Sequence, residues 1–341
     1  MSVAAVIAVA GIAGLAVTAV LGLSFIPWLG RVEFGNTFNA FDKKQPAPSM
    51  GGIILAIGTV TAVILAVATD RIAGGDIAAA GSLMPQEMHT KLWSGLLMAV
   101  SFSLVGLIDD YYKIKINRNL GLTVKQKTVM QFFISLAYLT GLYMCMNGKP
   151  YMFIPFYGNT EPGFFYWIIG VLLIYGSVNS VELSDGTDGL CGSLTLTAAV
   201  SLGVIAAMKG FFGFTAMSAA LTGSCIGFLI WNKSPAKIRP GKMGTMFLGG
   251  FVVAISYAIG SPLILILSGL SYFVISATDI LQIIYYKKTG GKPLFKSAPV
   301  QHHLKLIGWS DKKITSIFTA VNLLGGLAAV IVMYYGGYVL R

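Results

Sequence analysis

Ten long apolar runs, separated by short polar segments, dominate the sequence; they cover residues 3–28, 51–68, 92–108, 128–146, 164–178, 190–207, 211–231, 246–260, 262–286 and 314–340. A hydrocarbon layer about 30 Å thick is crossed by roughly 20 apolar helical residues, and backbone inside it must satisfy its own hydrogen bonds. The pattern predicts an all-α polytopic membrane protein of about ten transmembrane helices. Helix breakers at Gly260-Ser261-Pro262 divide the eighth run from the ninth. The first run is long and lacks a basic leading region, so it reads as a retained helix and not a cleaved signal. Residues 1–341 read as one integral membrane domain. Segment 147–162 carries turn residues, among them Lys149-Pro150 and Gly158-Asn159, and predicts a short outer hairpin.

Charge then sets the expected orientation. An even number of spans puts both termini on one side. Of the 24 Lys and Arg residues, only Arg71, Lys91, Lys149, Lys209 and Arg341 fall on that side. The heavily basic side is cytoplasmic by the positive-inside rule, which leaves both termini extracytoplasmic. The net charge of +11 therefore needs no nucleic acid. Retention of short cytoplasmic loops accounts for part of it and a polyanionic partner for the rest. Cys145, Cys191 and Cys225 lie in or at the ends of apolar runs, with neither disulfide nor metal spacing.

Polar chemistry gathers in five segments on the inner face. Lys44 through Gly52 enters the second run through two prolines, and Ser49 is placed to cap the helix and offer its N-terminus to an anion. Asp109-Asp110 follows the third run beside Lys113, Lys115, Arg118, Lys125 and Lys127. Ionised groups at the edge of hydrocarbon are costly unless solvated or paired, and acids beside lysines suit a divalent metal and a phosphate. Helical neighbours point about 100° apart, so these two acids face different partners. The third segment, 179–190, holds Asn179, Glu182, Asp185, Gly186 and Asp188 with no base; it suits a hard cation or the hydroxyls of a sugar. The fourth runs from Asn232 through Arg239 and Lys242, basic and glycine-containing but without a P-loop. The fifth holds Gln301-His302-His303, able to donate to phosphate or shuttle protons. Taken singly, each has a plainer reading: a helix entry, an interfacial acidic end, a solvated turn, an exposed histidine pair.

Together and in this order, the segments resemble the MraY family of phospho-N-acetylmuramoyl-pentapeptide transferases, within the polyprenyl-phosphate N-acetylhexosamine-1-phosphate transferase superfamily. The matching pieces are 44–52, Asp109-Asp110 with Lys113 and Lys125, 179–190, Asn232 with Pro235-Ala236, and 299–303 with Gly308-Trp309. The resemblance covers essentially the whole chain. It implies transfer of phospho-MurNAc-pentapeptide from UDP-MurNAc-pentapeptide to undecaprenyl phosphate, giving lipid I and UMP, with Mg²⁺, at the cytoplasmic face of a bacterial plasma membrane. It implies Asp185 with Asp109 or Asp110 as Mg²⁺ ligands and Asp109, Asp110, Asp185, His302 and His303 as the catalytic set. Lys113, Lys125 and Lys44 would contact phosphates, and Ser49, Asn179, Glu182, Gly186, Asp188, Asn232, Arg239 and Lys242 would complete the substrate site. It leaves room for a homodimer.

Three departures stand out. Where the family carries F-M-G-D-x-G, with Asp on the metal, this chain reads Arg239-Pro240-Gly241-Lys242-Met243-Gly244. The family Asn of the acidic loop is Glu182, and the first His of a triplet is Gln301. Exchanging a carboxylate for an ammonium shifts local charge by two units and weakens Mg²⁺ binding. Two alternatives follow: a divergent or weakly active paralogue using another UDP-amino sugar such as UDP-GlcNAc, or a non-catalytic lipid binder or transporter.

Overall fold

The computed structural model describes residues 1–34, 47–81, 84–115 and 121–338. The described chain is helical but for one hairpin. The helices are α1 (Val3–Phe34), α2 (Gly52–Ile72), α3 (Pro85–Lys115), α4 (Val124–Cys145), α5 (Phe165–Leu183), α6 (Leu190–Met208), α7 (Phe212–Asn232) and α8 (Gly241–Ala258). A 3₁₀ turn (Pro262–Ile264) leads into α9 (Leu265–Ser268), followed by α10 (Leu270–Lys288), α11 (Val300–Leu306) and α12 (Asp311–Tyr335). The hairpin pairs β1 (Met152–Ile154) antiparallel with β2 (Gly158–Thr160), Phe153 facing Asn159. It lies inside the segment whose turn residues predict it.

Among the described residues, eight helices are long and apolar enough to cross a membrane, and a bent pair brings the number to nine. The expected figure of ten counted α8, which is present but not among them. It starts five residues before the expected run, and its polar first turn, Gly241-Lys242-Met243-Gly244-Thr245, shortens the apolar stretch. All of its 18 residues except Lys242 are buried. It is the axis of the molecule, flanked by α2, α3 and α5. Glycine permits this: a Cβ on Gly52 of α2 would stand 2.1 Å from the Gly244 nitrogen, and one on Gly106 of α3 would stand 2.3 Å from the Lys242 carbonyl oxygen.

The ninth expected span, 262–286, is not one helix. It turns by 85° at Gly269, between α9 and α10. Such a break strands backbone donors and acceptors, each costly in an apolar layer. Buried Asn322 of α12 meets both sides of it: its Oδ1 accepts the Ser271 N–H at 3.0 Å, and its Nδ2 donates to the Ser268 carbonyl at 3.2 Å. The same amide donates to Thr197 Oγ1 and the Leu194 carbonyl of α6. One side chain thus clasps three helices.

The break before α9 is sealed by the hairpin. The Phe153 N–H donates to the Gly260 carbonyl at 2.7 Å, and the Ser261 hydroxyl donates to the Phe153 carbonyl. Tyr338, past α12, packs on Phe153 and donates to the Ile259 carbonyl, and Lys209 donates to the Tyr338 carbonyl. The end of α12 therefore sits with the hairpin. So does the start of α1, which runs beside α7 with Gly11 against Ala219. The polar segments gather at the opposite end.

Candidate active site

At that opposite end α3, α4, α5 and α8 bring five charged side chains into one chain of ion pairs. Lys113 Nζ lies 2.8 Å from Asp109 Oδ2, and Lys242 Nζ lies 3.6 Å from the same oxygen. Lys242 Nζ is also 2.8 Å from Glu182 Oε1, while Lys127 closes a tight pair on Glu182 Oε2. The order is ammonium, carboxylate, ammonium, carboxylate, ammonium. Asp109 is 2% exposed, and its other oxygen accepts the Leu122 N–H at 2.7 Å, which ties the approach to α4 onto α3. A capping box between Thr123 and Gln126 then starts α4 and sets Lys127 directly after it.

Beside this ladder lies a polar cavity of about 270 Å³, lined by Glu182, Leu183, Asp185, Lys242, Thr245, Pro299 and His302. Asp185 accepts the Gly186 N–H at 2.9 Å, and burial pushes its carboxyl up to about 6 against the pull of that N–H and of Arg239. His302 stands under Gly186, whose φ is +128° and whose Cβ, if it had one, would meet the imidazole at 2.7 Å. Burial first, and the Lys305 charge second, lower the His302 pKa, so the ring is a neutral donor near pH 7. Lys305 donates to the Gly186 carbonyl and pairs with Asp311, fixing α11 to the acidic turn.

The expected site residues divide into those facing the cavity or ladder and those turned elsewhere. Asp109, Lys113, Glu182, Asp185, Gly186, Lys242 and His302 come together. Asp110 points to the other side of α3: its Oδ2 accepts the Met243 N–H at 3.0 Å and so caps α8. Asn179 bonds Gln131 Oε1 and the Tyr175 carbonyl one turn below Glu182. Asp188 accepts the Ala236 N–H, with exposed Arg239 at 4.0 Å. Asn232 bridges the Gly189 N–H and the Ile238 carbonyl, joining the acidic turn to the segment before α8. His303 accepts the Lys296 N–H and stacks against Phe295, away from the cavity. Ser49 does not cap α2; Glu33 takes both its N–H and its hydroxyl, and Gly51 is the capping residue. Lys125 is exposed at the start of α4. Lys44 lies outside the described residues.

Sequence reasoning counted Lys127 in the basic cluster but not among the site residues. Its signal was available: Lys127, Gln131 and Ser135 recur every fourth residue as one polar stripe along α4, and Gln131 and Ser135 are buried. Gln301 is also fully buried and donates to the Leu183 carbonyl, so it holds the end of α5 and does not contact the cavity as a ligand.

The donor set can be tested against the expected Mg²⁺. Among the described residues no three His, Cys, Asp or Glu side chains form a group that could hold a metal ion. Of the acids that would supply oxygens, Asp109 and Glu182 are engaged by three ammonium groups and Asp110 by α8, which leaves Asp185 facing the cavity. A unit charge brought within about 4 Å of an ammonium costs about 4 kcal/mol at an effective dielectric near 20, and a dication about twice that. The residues as arranged do not fit a divalent ion.

Comparison with known proteins agrees with this architecture. Residues 92–260, which span α3 through α8, match the family model described as glycosyl transferase family 4. The chain is 33% identical over 318 residues to the phospho-N-acetylmuramoyl-pentapeptide-transferase of Listeria innocua, covering 91% of this chain and 93% of that protein. It is 33% identical over 335 residues to the enzyme of the same name from Bacillus thuringiensis (94% of each) and 31% over 329 residues to that from Oceanobacillus iheyensis (92% and 94%). Fold and matches together define a multi-pass membrane transferase. The chain belongs to the phospho-N-acetylmuramoyl-pentapeptide-transferase family.

Proposed function

We propose that this protein transfers phospho-MurNAc-pentapeptide from UDP-MurNAc-pentapeptide to undecaprenyl phosphate, releasing UMP and forming lipid I. The observation that carries the reading is the ladder of Lys113, Asp109, Lys242, Glu182 and Lys127 beside the Asp185–His302 cavity. Three ammonium groups against two carboxylates leave a positive excess at one end of an apolar bundle. That suits a pyrophosphate and a lipid phosphate meeting there. The weight of Lys and Arg supports this end as cytoplasmic and the hairpin end, with both termini, as extracytoplasmic. We treat residues 1–341 as one catalytic unit. A homodimer is compatible with this arrangement and is not needed to complete the cavity.

In the reaction, an oxygen of the polyprenyl phosphate attacks the sugar-bearing phosphorus of the donor. The new P–O–P bond forms as the bond from that phosphorus to the bridging oxygen of UMP breaks, and UMP departs with the electron pair. Phosphoryl transfer depends on positioning and charge more than on covalent help. A phosphate monoester has its second pKa near 6, so the acceptor is already largely dianionic and needs no dedicated base. Lys242 and Lys127 face the charge that grows on the bridging oxygens, Lys113 holds Asp109 in place, and neutral His302 donates to a phosphate or sugar oxygen. Asp185 orients a donor hydroxyl. Mg²⁺ enters no step, because the residues present do not fit it.

The acceptor's tail has a place to lie. Between α4 and α5 an apolar groove of about 670 Å³ is lined by Val129, Phe132, Phe133, Leu136, Trp167 and Val171, among others, and its inner end is Thr128, the neighbour of Lys127. A polyprenyl chain in this groove would bring its phosphate to the ladder.

The reading is tested with purified protein in detergent, labelled UDP-MurNAc-pentapeptide and a polyprenyl phosphate, by following UMP. Release that requires both substrates supports it. Release from UDP-GlcNAc alone would point to the other donor, and donor binding without UMP would mark an inactive relative.

A further inference from the structure

We propose that the Lys242 ammonium is a built-in cation of this site, supplying the positive charge that a divalent ion would supply, so that transfer proceeds without a divalent metal. The inference rests on the reaction proposed above and concerns how that same site neutralises its substrates. The first ground is where the ammonium sits. It touches Glu182 at 2.8 Å and Asp109 at 3.6 Å, lines the polar cavity with Asp185, and is one-third exposed, open to an incoming anion. A cation between two acids and a cavity is placed as a metal would be.

The second ground is that the ammonium is held from several directions. Asp110 caps the first turn of α8 through the Met243 N–H. Gly52 and Gly106 bring α2 and α3 against the Gly244 nitrogen and the Lys242 carbonyl, where any Cβ would collide. The Gly51 N–H donates to the Arg239 carbonyl and the Gly52 N–H to the Pro240 carbonyl, so the segment leading into Lys242 is tied to α2. Charge fixed in advance where negative charge develops is the form of electrostatic stabilisation that costs no reorganisation during reaction. The third ground is the flanking charge. Lys127 holds the other oxygen of Glu182 and Lys113 shares Asp109 Oδ2 with Lys242, so a dication entering the ladder would meet three ammonium groups.

In this role Lys242 transfers no proton. It enters and leaves as an ammonium, paired with Glu182 before reaction and shared with the pyrophosphate oxygens during it. Negative charge is conserved between polyprenyl phosphate plus UDP-sugar and the lipid-linked product plus UMP, so the resident cation need not be replaced between turnovers.

The test uses the full-length protein in detergent and two readouts. Mn²⁺ binding is measured by electron paramagnetic resonance on the unaltered protein, on Lys242→Asp and on Lys242→Met. UMP release is measured with EDTA and with Mg²⁺. The unaltered protein should bind no Mn²⁺ saturably below about 1 mM, an ordinary range for weak oxygen sites, and its UMP release should change less than about twofold on chelation. Lys242→Asp should bind one Mn²⁺ and release UMP only with added metal. Lys242→Met, which keeps the stem and removes the charge, should lose about 100-fold in either condition, the usual scale for deleting one electrostatic group. Saturable Mn²⁺ binding by the unaltered protein, or loss of its UMP release in EDTA with recovery in Mg²⁺, would overturn the proposal. If the unaltered protein releases no UMP from any donor, the proposed reaction falls, and the Mn²⁺ comparison alone decides the cation question. Should Lys242→Asp fail to fold, the unaltered protein and Lys242→Met still decide it.

Discussion

Asp110 Oδ2 accepts the backbone N–H of Met243 at 3.0 Å, joining the end of α3 to the first turn of α8 across 133 positions of sequence. This acid stands next to Asp109 in the chain and apart from it in role. It positions the helix that carries Lys242. Asp110→Asn keeps an acceptor oxygen and should retain kcat within about threefold, whereas Asp110→Ala should lower the melting temperature and kcat together, as loss of a cap costs about 1 kcal/mol. A fall of 100-fold or so in Asp110→Asn, on the scale of a deleted transition-state contact, would assign the carboxylate to the chemistry instead.

Asp185 gives a pH signature. Its carboxyl is pushed up to about 6 in the fold by burial, above its ordinary value of 3.8. A raised carboxylate pKa favours the protonated folded state, so the contribution to stability is present in acid and is lost as pH rises through about 6. The melting temperature of the substrate-free protein should therefore be higher at pH 5 than at pH 7.5, by about 3 °C from this group. Asp185→Asn should abolish that difference; an identical pH profile in the variant would show that the shift lies elsewhere.

Asn322 should be among the most sensitive positions away from the site. Replacing it with leucine leaves the Ser271 N–H and the Ser268 carbonyl unpaired at the 85° turn. Buried backbone groups without partners cost several kcal/mol in an apolar layer. Thermal unfolding in detergent should show a loss of about 3 kcal/mol or more, and Asn322→Leu melting with the unaltered protein would refute the clasp.

The groove between α4 and α5 separates the two substrates. Val171→Trp fills it without touching the ladder. The KM for polyprenyl phosphate should rise about tenfold, the scale of a few lost methylene contacts, while the KM for the UDP-linked donor holds. Equal shifts in both would place the lipid tail on another face.

Much of this was legible before any coordinates. The helices at 190–208 and 212–232 follow the apolar runs closely, because membrane backbone has so few solutions, and the hairpin at 152–160 and the break after the eighth run follow the turn residues and helix breakers. Asp109, Asp185 and His302 were nameable because charge and imidazole are rare in so apolar a chain. Three things were hidden. The turn at Gly269 sits inside an unbroken apolar run, and the residue that permits it, Asn322, lies 53 positions away. Lys127 was hidden by Lys125, since spacing along a helix does not say which lysine faces inward until the buried stripe at Gln131 and Ser135 is weighed. The division of labour between adjacent aspartates was legible only as a direction: two neighbours diverge, but which one meets lysines depends on where α8 crosses.

The seventeen buried residues of α8 have a consequence for where such an enzyme can work. A helix with no lipid neighbours is indifferent to bilayer thickness, because mismatch acts through the surfaces that touch acyl chains. The outer helices are free to tilt as a membrane thins or stiffens, while the charged end of the central one stays registered against its own neighbours. Turnover in vesicles of short- and long-chain lipids should then differ little once the acceptor is saturating.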